Sequence, residues 1–72
     1  MQDSLDQKTF SLILRAQSNE ITEYYIYSEL ANKIQNLHNQ GILETVAKDE
    51  IWHYQFWRSI THQDLQPDKL KI

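Results

Sequence analysis

Residues 40–61 read QGILETVAKDEIWHYQFWRSIT, and the apolar side chains in this stretch recur every three or four positions. One stripe along it contains four large apolar residues, Leu43, Val46, Trp57 and Ile60. Side chains three and four positions apart share one face of an α-helix, whereas a half-buried strand would alternate apolar and polar residues. The stretch therefore predicts an amphipathic helix over about residues 40–61.

A second periodic stretch precedes this one, over about residues 9–35. Its stripe contains Ile13, Ala16, Tyr27, Leu30 and Ile34. Either Asp6 or Thr9 could cap its first turn. The polar segment NLHNQG, residues 36–41, separates the two stretches and is short enough to make the helices antiparallel neighbours. We therefore expect one all-α domain, a helical hairpin over residues 1–62.

Residues 63–72 form a C-terminal tail after the predicted hairpin. Pro67 disfavours helix at the residue before it, so the segment that follows the second helix should be a turn. The tail also contains few apolar residues. We therefore expect its last residues, 68–72, not to organise themselves.

The amino-acid composition argues against several fold classes and several kinds of partner. The chain has 72 residues with one glycine, one proline and no cysteine, which argues against a strand-and-turn fold and excludes disulfides and thiolate metal sites. A net charge of −3 without a cluster of lysines and arginines argues against a nucleic-acid partner. No apolar run approaches the roughly 20 residues of a membrane span, and no signal-like segment opens the chain. We therefore expect a soluble, cytoplasmic chain.

The predicted apolar surface is wider than one hairpin can bury. Further apolar side chains flank both stripes, namely Phe10, Leu14, Tyr24, Ile26, Ala47, Tyr54 and Phe56. A chain this short buries only about 60% of its unfolded surface when it folds alone, and a partner subunit is one common remedy. We therefore predict that two hairpins pair as a homodimer and form a four-helix bundle.

Four polar residues interrupt the two stripes, namely Glu20, Glu23, Glu50 and His53. Carboxylates are rarely buried unless they are paired or bound to a cation, because desolvating a lone charge is costly. No lysine or arginine occupies either stripe. In an antiparallel hairpin the four residues lie at similar heights, so they predict a metal-binding site.

Glu50 and His53 form a Glu-x-x-His pair, which places a carboxylate and an imidazole one turn apart on one helix face. With Glu20 on the other helix, the pair is half of the ligand set of a di-iron or di-manganese carboxylate site in a helical bundle. A two-fold axis would complete the set in a homodimer. Mixed oxygen and nitrogen ligands suit iron, with manganese as the alternative metal.

The segments NEITEYYIY, residues 19–27, and DEIWH, residues 49–53, resemble the ferritin-like superfamily, especially its rubrerythrin-like branch. In that superfamily a glutamate of the first helix is followed seven residues later by a tyrosine, as Glu20 is followed here by Tyr27, and the second helix contains Glu-x-x-His. The resemblance covers about residues 10–62. It is closest to the rubrerythrin-like domain that is fused to a membrane domain of the vacuolar iron transporter type.

The resemblance implies a ferritin-like bundle that binds two irons between subunits and oxidises Fe²⁺ with oxygen or peroxide, as a ferroxidase- or peroxidase-type oxidoreductase. It also implies that the tail leads into an absent membrane domain for iron transport, which would make this chain the cytoplasmic domain of a membrane protein. Rubrerythrins and ferritins have both halves of the site in one chain, whereas this chain has one half. We therefore expect the free monomer to bind metal poorly.

Several alternatives stay open at this point. Three roles are open for Glu23: a further ligand, an entry-site carboxylate or an exposed residue at the rim. For Tyr27 we favour a hydrogen-bonding residue behind the ligands over a radical site. The aromatic residues near Glu50 and His53, among them Trp52, are assigned to packing. The alternatives to an oxidase are a non-catalytic module that senses or captures iron and a purely structural dimerisation domain.

Overall fold

Two long helices make up most of the fold. The computed structural model describes residues 6–72. Within that range α1 spans Gln7–Lys33, α2 spans Leu37–Thr61, and a terminal 3₁₀ turn spans Lys69–Lys71. The described residues contain no strand, and α1 and α2 pack against each other as a hairpin. The prediction of an all-α helical hairpin is therefore confirmed.

Each long helix begins at a polar side chain that caps it. The Asp6 carboxylate accepts a hydrogen bond from the Thr9 backbone N–H at 2.7 Å, which satisfies one of the free donors of a first helical turn. That backbone hydrogen bond is the main reason that the pKa of Asp6 is lowered. The Asn36 side chain accepts from the Asn39 N–H in the same way, at 3.0 Å. Because Asn36 caps α2, the connection is residues 34–36, shorter and earlier than the segment 36–41 that we predicted.

The layer between the helices is turned from the predicted stripes by up to one residue step. Among the described residues, the buried ones are Gln17, Ile21, Thr22, Ala31, Ala47, Tyr54 and Thr61. Successive residues of a helix are turned by about 100°, so the stripe residues lie beside this layer rather than inside it. They are half-buried, with the exception of the exposed residues Leu30 and His53.

The stripe residues other than Leu30 together form one side of the hairpin, which we call the open face. It comprises Ile13, Ala16, Glu20, Glu23, Tyr27 and Ile34 on α1, and Leu43, Val46, Glu50, His53, Trp57 and Ile60 on α2. No other part of the described chain is packed over it as a further helix. In the described residues, neither long helix contains an 18-residue window apolar enough to cross a bilayer.

The C-terminal tail is anchored by a fully buried glutamine. Gln17, with no exposed surface, donates from Nε2 to the carbonyl oxygen of Gln63 at 2.7 Å. Its Oε1 accepts from the Thr61 hydroxyl, also at 2.7 Å. One side chain of α1 therefore holds both the end of α2 and the first residues of the tail. The turn between α2 and the tail needs one residue in the left-handed backbone conformation, and His62 adopts that conformation with φ 58°.

Further hydrogen bonds hold the tail farther along. The Leu65 N–H donates to the Tyr54 hydroxyl at 2.9 Å, and the Asp68 N–H donates to the Thr22 hydroxyl at 2.8 Å. In residues 68–72, which we expect not to organise themselves, Lys69–Lys71 form a 3₁₀ turn that contacts α1, so contact with the hairpin orders them. Thr22 follows Glu20 by two residues and so points to nearly the opposite side of α1. The tail accordingly covers the back of the hairpin and leaves the open face uncovered.

Replacing Gln17 by alanine should lower the free energy of unfolding by about 2–4 kcal/mol, because two hydrogen bonds and a filled volume are lost together. Urea unfolding followed by circular dichroism measures this change. Gln55 is exposed on α2, and its replacement by alanine is the matched control, with an expected change within about 0.5 kcal/mol. Equal effects of the two substitutions would contradict the anchoring role of Gln17.

Candidate metal centre

The open face brings three of the predicted ligands together near the middle of the hairpin. His53 Nδ1 lies 2.6 Å from Oε2 of Glu20 and 3.2 Å from Oε1 of Glu50. One potential ligand atom from each of the three residues lies within 4.8 Å of the other two. A single chain therefore gathers two carboxylates and an imidazole, which we call the Glu-Glu-His cluster.

The hairpin geometry explains why these residues meet. Glu50 and His53 are three residues apart on α2 and so share one side of it. Glu20 lies fourteen residues before Ile34, and Glu50 lies fourteen residues after Asn36. Because the helices run antiparallel from a connection of three residues, positions equally far from it face each other. The cluster therefore depends on the short connection as much as on the Glu-x-x-His spacing.

The cluster is partly shielded from solvent. The side chains of Glu20 and Glu50 are only 19% and 14% exposed, whereas that of His53 is 48% exposed. The hydrogen bond with Glu50, together with the negative charge of Glu20, raises the pKa of His53 against the opposing effect of desolvation. The two carboxylates thus favour the protonated form of the His53 imidazole.

Glu23, the fourth predicted ligand, lies next to the cluster through Glu50. A hydrogen bond with Glu50 raises the pKa of Glu23, and desolvation and repulsion between the two carboxyl groups act in the same direction. Glu23 is half-buried and is not one of the three residues that converge on a common point. Its role as a further ligand stays a prediction.

Tyr27 makes none of the hydrogen bonds that join the cluster residues, and its role behind the ligands stays a prediction. It is half-buried on α1, two turns beyond Glu20, or about 10 Å along the helix axis at 1.5 Å per residue. The aromatic ring that contacts the cluster is instead that of Trp52, which meets the His53 ring edge-on with centroids 5.8 Å apart. Trp52 also stacks on Phe56 and is 63% exposed. Adjacency to His53 in the sequence was the signal that could have singled out Trp52.

The donor set of the Glu-Glu-His cluster fits a divalent cation. Bonds from such cations to carboxylate oxygen and imidazole nitrogen are about 2.0–2.2 Å long, so neighbouring ligand atoms of an octahedral site lie about 3 Å apart. The separations of 2.6 and 3.2 Å between His53 Nδ1 and the two carboxylates are close to that spacing. Carboxylate and imidazole ligands suit iron and manganese, and three protein ligands leave coordination positions open.

Comparisons of the chain with protein-family models, with curated proteins and with solved structures found no match. The resemblance to ferritin-like proteins therefore stands on the two short segments in which it was seen. What the Glu-Glu-His cluster can do follows from its own atoms: it offers two oxygen ligands and one nitrogen ligand to a cation, at a half-exposed position.

In the metal-free protein, replacing Glu50 by glutamine should lower the pKa of His53 towards 6.5, because the hydrogen bond with Glu50 contributes most to the raised value. An NMR titration of the His53 ring measures the shift. The folded-state pKa lies above that of the unfolded chain, so the stabilisation is fully present below pH 6.5 and is lost as pH rises through the folded-state value.

Glu44 is an exposed acid on the same helix, and Glu44→Gln is the control for this titration. It removes the same charge without touching the cluster, so the pKa of His53 should stay where it is in the wild type. An unchanged pKa in Glu50→Gln would show that the pairing between His53 and Glu50 does not exist in solution.

Proposed function

We propose that the chain is an iron-binding, ferritin-like domain whose di-iron carboxylate site forms between two copies and oxidises Fe²⁺ with oxygen or peroxide. The observation that supports this function most directly is the convergence of Glu20, Glu50 and His53 on the open face. In the described residues, the two carboxylates pair with His53 and with no lysine or arginine. Such a cluster is suited to accept a cation.

Pairing of two copies through the open face would complete the site. The half-buried apolar side chains around the cluster, such as Ile13, Val46 and Trp57, gain further burial only if another surface covers them. A two-fold axis near the cluster would bring two ligand sets together in a four-helix bundle, as in carboxylate-bridged sites of helical bundles. Glu23 would then supply a further carboxylate beside the two sets.

The side chains of the cluster would each contribute in a defined way. Glu20 and Glu50 neutralise the positive charge of the incoming Fe²⁺, and His53 releases the proton from Nδ1 when that atom becomes a ligand. The exposed edge of His53 gives the ion a route from solvent. When bound, iron supplies the one-electron chemistry with oxygen or peroxide, while the protein supplies geometry and a shielded pocket.

The proposal extends to the longer protein that the resemblance implies. There the domain would supply iron to a fused membrane domain of the vacuolar iron transporter type. Manganese is the alternative metal for the same ligands. In either case the chain's own contribution is the Glu-Glu-His cluster.

Anaerobic calorimetric titration with Fe²⁺ should show binding by the wild type, and Glu50→Ala or His53→Ala should weaken it at least about tenfold, because each removes a ligand. Mixing the Fe²⁺-loaded protein with oxygen or peroxide should produce fast oxidation in a stopped-flow absorbance trace. Glu44→Ala and His38→Ala, which change exposed residues of α2 outside the cluster, are the matched controls and should behave as the wild type.

The same measurements distinguish the alternatives. Fe²⁺ binding without fast oxidation would replace the oxidase by a module that captures or senses iron. A thermal midpoint that Fe²⁺ and Mn²⁺ leave unchanged would leave only a structural dimerisation domain, because saturation with a ligand at 100 times its Kd stabilises a folded protein by about 2.7 kcal/mol.

A further inference from the structure

The open face has an acidic centre and an apolar surround. Three carboxylates, those of Glu20, Glu23 and Glu50, lie at the centre, and His53 is the single group there that can offset them. None of the residues of the open face is a lysine or an arginine. The face is therefore apolar enough to favour contact with another surface, yet negative where that contact would be centred.

Two-fold pairing would place the acidic centre of one copy against that of the other. In a symmetric dimer the same patch lies on both sides of the interface, so the carboxylates of one copy would approach those of the other. Juxtaposed like charges oppose association, and they do so most strongly where water is excluded. Burial of side chains such as Ile13, Val46 and Trp57 favours the dimer, whereas the acidic centre opposes it.

A cation bound to one chain would remove this opposition. The Glu-Glu-His cluster is assembled from both helices of a single hairpin, with its three ligand atoms within 4.8 Å of one another. A lone hairpin would therefore have three ligands for an ion before a partner arrives, whereas the expectation that the free monomer binds metal poorly stays a prediction. A bound ion would offset the negative charge of the centre, and Glu20, Glu50 and His53, which would hold it, lie on the face where a second copy would dock.

We infer that a divalent cation at Glu20, Glu50 and His53 controls pairing of the open face with a second copy, by cancelling like charges that keep metal-free chains apart. The metal-free chain is then a monomer and the loaded chain a dimer. This inference rests on the proposed metal site and adds the order of assembly to it. Because linkage is reciprocal, dimer formation tightens metal binding by the same factor by which metal tightens the dimer.

Sedimentation velocity over a range of protein concentrations tests the inference, with Mn²⁺ as a probe that is bound without being oxidised by air during the run. In EDTA the wild type should sediment as the 8.7 kDa chain, and in saturating Mn²⁺ it should sediment at twice that mass. The Kd of the dimer should fall at least about tenfold on loading, within the usual range of such couplings. Calorimetric titration of the same sample with Mn²⁺ shows independently whether the ion binds.

A charge-neutral variant separates charge cancellation from other effects of the metal. Glu20→Gln combined with Glu50→Gln removes two central carboxylates while keeping the side-chain shape, so it should dimerise in EDTA and should no longer respond to Mn²⁺. The matched control combines Glu29→Gln with Glu44→Gln, two exposed acids outside the open face. This control should remain monomeric in EDTA and should dimerise with Mn²⁺, and circular dichroism verifies that both variants are helical.

Each outcome has one consequence. Equal dimerisation of the wild type in EDTA and in Mn²⁺, with calorimetry showing bound Mn²⁺, overturns this inference and leaves the proposed function standing. A double variant that stays monomeric in EDTA, at concentrations where loaded wild type is dimeric, overturns it as well. If neither Mn²⁺ nor anaerobic Fe²⁺ binds to the wild type, the proposed function fails and the inference fails with it.

Discussion

A two-helix hairpin can bury only one strip along each of its helices, and this limit governs the rest of the structure. The strip in this chain is narrow and contains small or polar side chains as well as apolar ones, among them Ala31, Ala47, Thr61 and the fully buried Gln17. Small side chains such as those of Ala31 and Ala47 contribute little apolar surface to the contact. Much of the apolar surface of both helices consequently lies outside the hairpin contact and has to be covered by something else.

The two sides of the hairpin differ in what covers their apolar surface. On the back, the tail supplies a cover whose order comes from hydrogen bonds to Gln17, Tyr54 and Thr22. The other side, the open face, has no such cover in the described chain, and it is where Glu20, Glu50 and His53 come together. Uncovered apolar side chains and a compact group of metal-ligating atoms lie on the same face. For this reason we link a metal site to association with a second copy.

The charges of the open face indicate how metal binding would be coupled to protonation. In the absence of metal, Glu50 and Glu20 raise the pKa of His53, and a hydrogen bond with Glu50 raises the pKa of Glu23. The carboxylates that favour a proton on His53 are the same ones that would bind a divalent cation. Metal uptake would exchange protons for a cation, which is the usual behaviour of carboxylate and histidine ligands.

The sequence by itself determined the all-α hairpin and the residues of the cluster, because spacings of three and four fix a helix face and Glu-x-x-His fixes two ligands on it. The tertiary structure alone decided three things: the start of α2 at the Asn36 cap, the small rotation that moves the stripes out of the interhelical layer, and the packing of the tail. The packing of the tail depends on hydrogen bonds between residues far apart in the chain, such as Gln17 and Gln63, which are 46 residues apart, whereas the Asn36 cap is a local hydrogen bond with Asn39. Local periodicity contains no information on such pairings, since it reports which side chains share a face and not which surface that face meets.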